Sequence, residues 1–271
     1  MSELYFNLQH SGGTHRVEIE NQGDTSVIRF GASFTLRLDE KNLNRLVDIL
    51  QHELDHMRTA RRNSHTAEDD FVQAGIKALQ DGQHGYTAAN GLPVLREAVV
   101  QDLSIRHGAT IEAEQVVVVP GGKPSIFFAV LMFGEPGCEI MYPDPGFPIY
   151  ESLIRYSGAT PVPIKLREET GFSFAADEIL SRINPKTRLI ILNSPSNPTG
   201  GVVDKSELDK LAAGLATHPH VAVLSDEIYS QMLYEGRGHV SLLSYPEIQD
   251  QVIMLDGWSK TYAMTGWRIG Y

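Results

Sequence analysis

A single lysine, Lys260, sits among small and apolar residues in the stretch Gly257-Trp258-Ser259-Lys260-Thr261-Tyr262-Ala263-Met264-Thr265-Gly266-Trp267-Arg268, with Arg268 eight residues further on. A lysine desolvated beside a second cation has a lowered pKa and can act as a Schiff-base nucleophile. Viewed singly, Lys260 reads equally as an exposed lysine. Asp226 and Tyr229 follow the apolar run Val221–Leu224 in Ser225-Asp226-Glu227-Ile228-Tyr229. A carboxylate there can pair with a cationic ring nitrogen while the tyrosine offers a hydroxyl, although Asp226 reads as well as a helix cap. Asn197 lies in the proline-stiffened loop Ser194-Pro195-Ser196-Asn197-Pro198-Thr199-Gly200-Gly201, and Phe147 in Pro143-Asp144-Pro145-Gly146-Phe147-Pro148-Ile149-Tyr150. Phe147 presents a flat aromatic surface or a packed core side chain. Gly121-Gly122-Lys123 follows Val116–Val119 and precedes an apolar helical stretch. Paired glycines let backbone N–H groups approach an anion at a helix N-terminus, but a glycine pair also simply marks a turn.

The elements that hold these residues fall into two unlike stretches that meet near residue 65. The first shows β-like runs at His15–Glu20, Ser26–Phe30 and Ser33–Leu38, with alternating apolar positions such as Val17/Ile19 and Phe34/Leu36/Leu38. Leu43, Leu46, Val47, Leu50, Leu54 and Met57 then recur at helical spacing, and the polar segment Arg58–Thr66 reads as a linker. From Asp69 onward helices alternate with short apolar strands. Helices are expected at Phe71–Leu79, Leu92–Arg106 and Lys205–Leu215. Strands are expected at Gln115–Val119, Glu139–Tyr142, Thr160–Ile164, Leu189–Asn193, Val221–Ser225 and Val252–Asp256. Continuous apolar runs such as Val116–Val119 and Leu189–Leu192 mark strands covered on both faces. The fold class is therefore α/β, a three-layer αβα sandwich with a mostly parallel central sheet, preceded by a small β-strand plus helix unit. The expected domains are 1–65, a small α+β segment of unassigned role, and 66–271. In such sheets ligands sit beyond the carboxyl ends of the strands, which is where the loops above lie.

Taken together and in this order, SNPTGG, SDEIY and SKTYAMTGWRIGY, with the two earlier loops, resemble the fold type I pyridoxal-phosphate enzymes, specifically the class I/II aminotransferases, over about residues 69–271. The resemblance implies pyridoxal 5'-phosphate as cofactor, held as a Schiff base by Lys260, which would also shuttle the Cα proton. It implies that Asp226 pairs with the protonated pyridine nitrogen, and that Asn197 and Tyr229 bond the phenolic oxygen. Phe147 would stack on the ring. Gly122 and Lys123 would supply backbone to the phosphate, with Arg268 as its charged partner. Gly85-Tyr86-Thr87 looks like the segment whose tyrosine, Tyr86, reaches the phosphate of a neighbouring subunit, which implies a homodimer with shared active sites. The implied substrates are an amino acid and a 2-oxo acid. A lyase on the same scaffold, or a cofactor-binding core without turnover, are the alternatives.

The chain departs from the family pattern in three places. Gly257, three before the lysine, stands where the family usually has a phosphate-bonding Ser or Thr. The sequence ends at Tyr271, inside the last motif, so the expectation is a core without the family's C-terminal small domain, and no arginine for a substrate carboxylate is assignable. Residues 1–65 do not look like the family's N-terminal arm.

His52-Glu53-Leu54-Asp55-His56 fits H-E-x-x-H, a zinc pattern, on the helix expected there. Arg62, however, stands where the extended pattern has its third histidine, and both histidines lie opposite the Leu46/Leu50/Leu54 face. A solvated helix face is the expected reading, with no metal. Lys plus Arg number 23 against 34 Asp plus Glu, a net charge of −11, which disfavours nucleic-acid or anionic-membrane binding while leaving room for a local cationic pocket. One cysteine, Cys138, excludes an internal disulfide framework. With no long apolar run and no signal-peptide pattern at the start, a soluble cytoplasmic protein is expected.

Overall fold

The structure is a computed structural model. It describes residues 4–10, 13–22, 25–30, 34–39, 67–234 and 236–271. The helix expected around Leu43–Met57, the His52–His56 pattern and the linker at 58–66 lie outside the described residues. By compactness the chain divides into Met1–Lys77 and Ala78–Tyr271.

The first unit carries an antiparallel meander of β1 (Leu4–His10), β2 (Gly13–Gln22), β3 (Thr25–Phe30) and β4 (Phe34–Asp39), in sheet order β1-β2-β3-β4. Register pairs Phe6 with Val17, Ile19 with Ile28, and Ile28 with Leu36. Apolar residues thus oppose one another along one face, the arrangement that fixes register in antiparallel ribbons. Strands β2 to β4 match the expected runs; β1 is an additional strand, in which Leu4, Phe6 and Leu8 alternate in the same way. Helix α1 (Ala67–Gln80) spans the boundary between the units.

The second unit is built on a five-stranded parallel sheet. Its elements are α2 (Pro93–His107), α3 (Lys123–Phe133), β5 (Glu139–Asp144), α4 (Ile149–Ser157), β6 (Thr160–Lys165), α5 (Ala176–Leu180), β7 (Thr187–Asn193), α6 (Lys205–Leu215), β8 (Ala222–Asp226), β9 (Val252–Leu255) and the single-turn α7 (Trp258–Thr261). The sheet order is β6-β5-β7-β8-β9, every pair parallel. The strands are apolar on both sides because both sides are covered. Met141, Ile190, Leu192 and Val223 pack with Ile179 of α5 and Leu208, Leu211 and Leu215 of α6. Their neighbours Ile140, Leu189, Ile191 and Leu224 pack with Ile126 and Val130 of α3 and Tyr150 and Ile154 of α4. This is the αβα layering expected from the sequence.

One expected strand is corrected. Residues 115–119 form no strand of this sheet; Val119 makes an isolated antiparallel bridge to Gly270, which also bridges Gly257. Within the run, Val116 is buried against Val99 and Leu103 of α2, while Val117 is exposed.

Candidate functional site

The carboxyl ends of the sheet strands converge on a cavity of about 380 Å³. Gly122, Lys123, Phe147, Asn197, Asp226, Tyr229, Lys260 and Arg268 all line it. Of the residues that the resemblance assigns to the cofactor, Tyr86 stands elsewhere, fully exposed in the loop before α2.

Asp226 ends β8 and is 5% exposed. Its Oδ2 accepts the Tyr150 hydroxyl at 2.6 Å and its Oδ1 accepts the Ile228 amide at 3.4 Å. Burial drives the carboxyl up to about 6, against the opposing pull of Tyr150. No cation among the described residues pairs with it. Asn193, at the end of β7, fixes the adjoining loop. Its Nδ2 donates to the Asp226 carbonyl at 2.9 Å and its Oδ1 accepts the Asn197 amide at 2.8 Å. The loop then closes on itself through Ser196 N–H to the Gly201 carbonyl and Gly200 N–H to the Ser196 carbonyl. So held, Asn197 Nδ2 donates to the Tyr229 hydroxyl at 3.4 Å, which brings polar groups from two strand ends together.

Phe147 is half-buried, packs on the apolar layer of α3 and α4, and meets Tyr150 edge-on at 5.8 Å. It is both a packing residue and a cavity wall. Lys123 Nζ stands 5.8 Å from the Phe147 ring centre, and Lys260 Nζ 5.7 Å from that of Tyr229. Lys260 lies in α7 at the cavity mouth and is exposed. Of the two readings of Lys260 in the sequence, the structure shows the exposed one.

The anion end is shaped by glycine. Gly121 has φ of +81°, and a Cβ there would overlap the Arg268 guanidinium. At Gly122 a Cβ would lie 2.9 Å from Leu255 Cδ2. Helix α3 starts at the next residue; Pro124 has no N–H to offer, and the Ser125 and Ile126 amides donate to the Gly122 carbonyl at 3.1 and 3.4 Å, which fixes the turn beside Arg268. Arg268 itself is exposed and donates to the Thr265 carbonyl at 2.8 Å. Lys123, Lys260 and Arg268 thus place positive charge at one cavity of an otherwise acidic chain.

The absence of a side chain at Gly257 has a steric cause. A Cβ there would approach Gly270 Cα to 2.9 Å and the Ile269 carbonyl to 3.0 Å. Its φ of 170° is ordinary extended backbone, so close approach is the constraint. Ser259, which the sequence reading passed over, lines the cavity and offers a hydroxyl.

The loop bearing Lys260 and Arg268 is pinned at its neck. Asp256 and Tyr271 exchange backbone hydrogen bonds at 3.2 and 3.0 Å. Arg106 of α2 reaches both side chains, at 3.4 Å to Asp256 Oδ2 and 3.1 Å to the Tyr271 hydroxyl.

Beside Asp226, Glu227 is 2% exposed and accepts from Ser225 Oγ at 2.8 Å, Ser241 Oγ at 2.9 Å and His239 Nε2 at 2.7 Å. Burial pulls its carboxyl up, yet the His239 contact and the hydroxyls outweigh that and hold it below its ordinary value. Of these partners His239 and Ser241 lie 12 and 14 residues on, where spacing carried no signal. Among the described residues no cluster of three or more metal-ligating side chains occurs, and no helix is long and apolar enough to cross a membrane.

Comparison with known proteins bears on what this cavity takes. The model of the family described as aminotransferase class I and II matches residues 59–271. The chain is 41% identical over 201 residues to an aspartate aminotransferase of Sulfurisphaera tokodaii, covering 73% of this chain and 50% of that one. It is 36% identical over 201 residues to the arginine–pyruvate transaminase AruH of Pseudomonas aeruginosa, covering 74% and 51%. Among solved structures, the Thermus thermophilus aspartate aminotransferase with maleate superposes with a TM-score of 0.69 at 34% identity, over 73% of this chain and 51% of that chain. The aromatic aminotransferase of Pyrococcus horikoshii OT3 gives a TM-score of 0.71 at 32% identity, over 74% and 54%. The chain spans about half the length of these relatives.

Proposed function

The chain belongs to the class I and II aminotransferase family, and on that premise we propose that it binds pyridoxal phosphate and moves an amino group between an amino acid and a 2-oxo acid. The observation that carries this reading is Asp226, a buried carboxylate at a strand end with no cationic partner among the described residues, in a cavity that also holds a lysine and an arginine. A charge so placed needs a positive partner from a ligand, and a protonated pyridine nitrogen is one. The remaining donors fit the same cofactor: a paired amide and phenol at Asn197 and Tyr229, an aromatic wall at Phe147, and an anion pocket at Gly122, Lys123 and Arg268.

When bound, the cofactor supplies an electron sink for the charge left on the substrate Cα as its proton departs. This chain's residues would do the rest. Asp226 would present an anion to the ring nitrogen and so keep a proton there. Asn197 and Tyr229 would hold the phenolic oxygen, and Phe147 would shield the ring from water. Arg268 and the Ser259 hydroxyl would hold the phosphate. Lys260 Nζ would hold the cofactor and would serve as the base that takes and returns the Cα proton.

The same reading extends to assembly. The chain works as a homodimer in the cytoplasm, with the exposed Tyr86 reaching a neighbouring subunit's phosphate, and a PLP-binding domain at 66–271 follows the segment 1–65. The test is isotopic. Protein loaded with pyridoxal phosphate is given ¹⁵N-labelled amino acids with 2-oxoglutarate, and label appearing in glutamate is expected. Release of ammonia and pyruvate would replace this reading with a lyase, and bound cofactor without turnover would replace it with an inactive core.

A further inference from the structure

Tyr150 carries a hydroxyl that the cofactor contacts above leave unused. It is 0% exposed, in the first turn of α4, and its O–H donates to Asp226 Oδ2 at 2.6 Å. That length is typical of a charge-assisted bond to a carboxylate. Tyr150 is the one side chain among the described residues that bonds the Asp226 carboxylate; Oδ1 has only the Ile228 amide, at 3.4 Å. The phenol is buried beside that carboxylate, which drives its own pKa well up, so the proton stays on Tyr150 and the bond has one polarity. The remaining groups around the carboxylate do not replace it. Glu227 next in the chain pushes Asp226 toward protonation, Tyr229 acts on Tyr150 alone, and Lys123, Lys260 and Arg268 line the cavity without bonding Asp226.

The geometry has a consequence for recognition. With Oδ2 occupied by the Tyr150 hydroxyl, the carboxylate is held in one orientation, and Oδ1 is the oxygen left for a ligand. Both Asp226 and Tyr150 line the cavity. Phe147, which flanks the same cavity, meets Tyr150 edge-on at 5.8 Å and 81°. One helix start therefore sets both the aromatic wall and the orientation of the counter-charge.

We propose that Tyr150 is a positioning residue that acts through Asp226 to make the site select a ring bearing a protonated nitrogen over an isosteric ring that lacks one. This deepens the cofactor reading above and rests on it. The experiment compares binding of pyridoxal phosphate and of its deaza analogue, in which carbon replaces the ring nitrogen. It is done on the full chain, Tyr150→Phe, Asp226→Asn and the double variant, with thermal melts to verify folding.

The full chain is expected to prefer pyridoxal phosphate. Tyr150→Phe should lose about ten- to a hundredfold in affinity for pyridoxal phosphate, the range of a hydrogen bond to a charged group, and leave the analogue within about twofold. In the Asp226→Asn background the same change should add nothing. Equal weakening of both ligands by Tyr150→Phe would show a purely structural role and overturn the proposal, as would no effect on either. Tyr150→His retains a donor and is expected to keep the preference, so a folded Tyr150→His that binds both ligands alike also overturns it. Failure of the full chain to bind either ligand would remove the cofactor reading itself. Binding of both without preference would spare that reading and remove only this proposal.

Discussion

Replacing Asp226 by Asn should make the cofactor-free protein more stable at neutral pH while weakening its response to pyridoxal phosphate. The carboxyl is 5% exposed and lacks a cation, and burial raises it from 3.8 to about 6. That displacement corresponds to roughly 3 kcal/mol against the charged folded state. The sign follows from proton binding. Between its unfolded and folded pKa values the native state binds more protons than the unfolded chain, so stability falls as pH rises through the window from 3.8 to about 6. The penalty is then fully present above it. Asparagine cannot ionise, and its side-chain oxygen still accepts the Tyr150 hydroxyl. Urea unfolding of both cofactor-free proteins at pH 8 and pH 5 measures the difference directly. The variant should be more stable by about 1–3 kcal/mol at pH 8, with the gap narrowing at pH 5. Pyridoxal phosphate should then raise the unfolding midpoint of the parent more than that of the variant. A variant no more stable than its parent at pH 8, with a gap that does not change with pH, would refute the view that Asp226 is a charge awaiting a ligand.

Other perturbations address neighbouring parts of the site. Gly121→Ala places a Cβ on the Arg268 guanidinium at a positive-φ position; pyridoxal phosphate affinity should fall about tenfold or more, while that for pyridoxal, which lacks the phosphate, stays nearly constant in the same titration. Gly257→Ser meets Gly270 Cα at 2.9 Å and should cost about 1–3 kcal/mol, seen as a melting temperature lower by several degrees. Glu227→Gln takes the carboxylate from the His239 contact at 2.7 Å; losing a hydrogen bond to a charged group this way costs about 1.5–3 kcal/mol. Because Glu227 is held below its ordinary value, its contribution is present at neutral pH and is lost as pH falls through the acid range, so the deficit seen in urea melts should shrink in acid.

Much of the architecture was legible because a strand covered on both faces must be apolar throughout. Leu189–Leu192 declared a central strand, and Lys205–Leu215 formed the helix its spacing implied. The polar loops following such strands placed Asn197, Asp226 and Phe147 at one end of the sheet before any coordinates. Apolarity misled at Val116–Val119, which forms no strand of the sheet: Val116 packs against α2 and Val119 makes an isolated bridge. Tyr150 and Asn193 stand out in the sequence only as members of a loop and a strand, because their roles rest on hydrogen bonds across 76 and 33 residues. The Glu227 cluster reaches His239 and Ser241 through tertiary folding alone. Gly257 looked like a lost hydroxyl and is a steric necessity, a distinction that only the approach of Gly270 reveals.

The measurement that bears most directly on the central claim is chemical. Protein incubated with pyridoxal phosphate is reduced with borohydride and digested, and the modified peptides are mapped by mass spectrometry. The account predicts one stoichiometric label, on Lys260, with a shifted visible absorption band before reduction, and loss of both in Lys260→Ala. Label scattered over surface lysines, or confined to Lys123 at the same cavity, would contradict it.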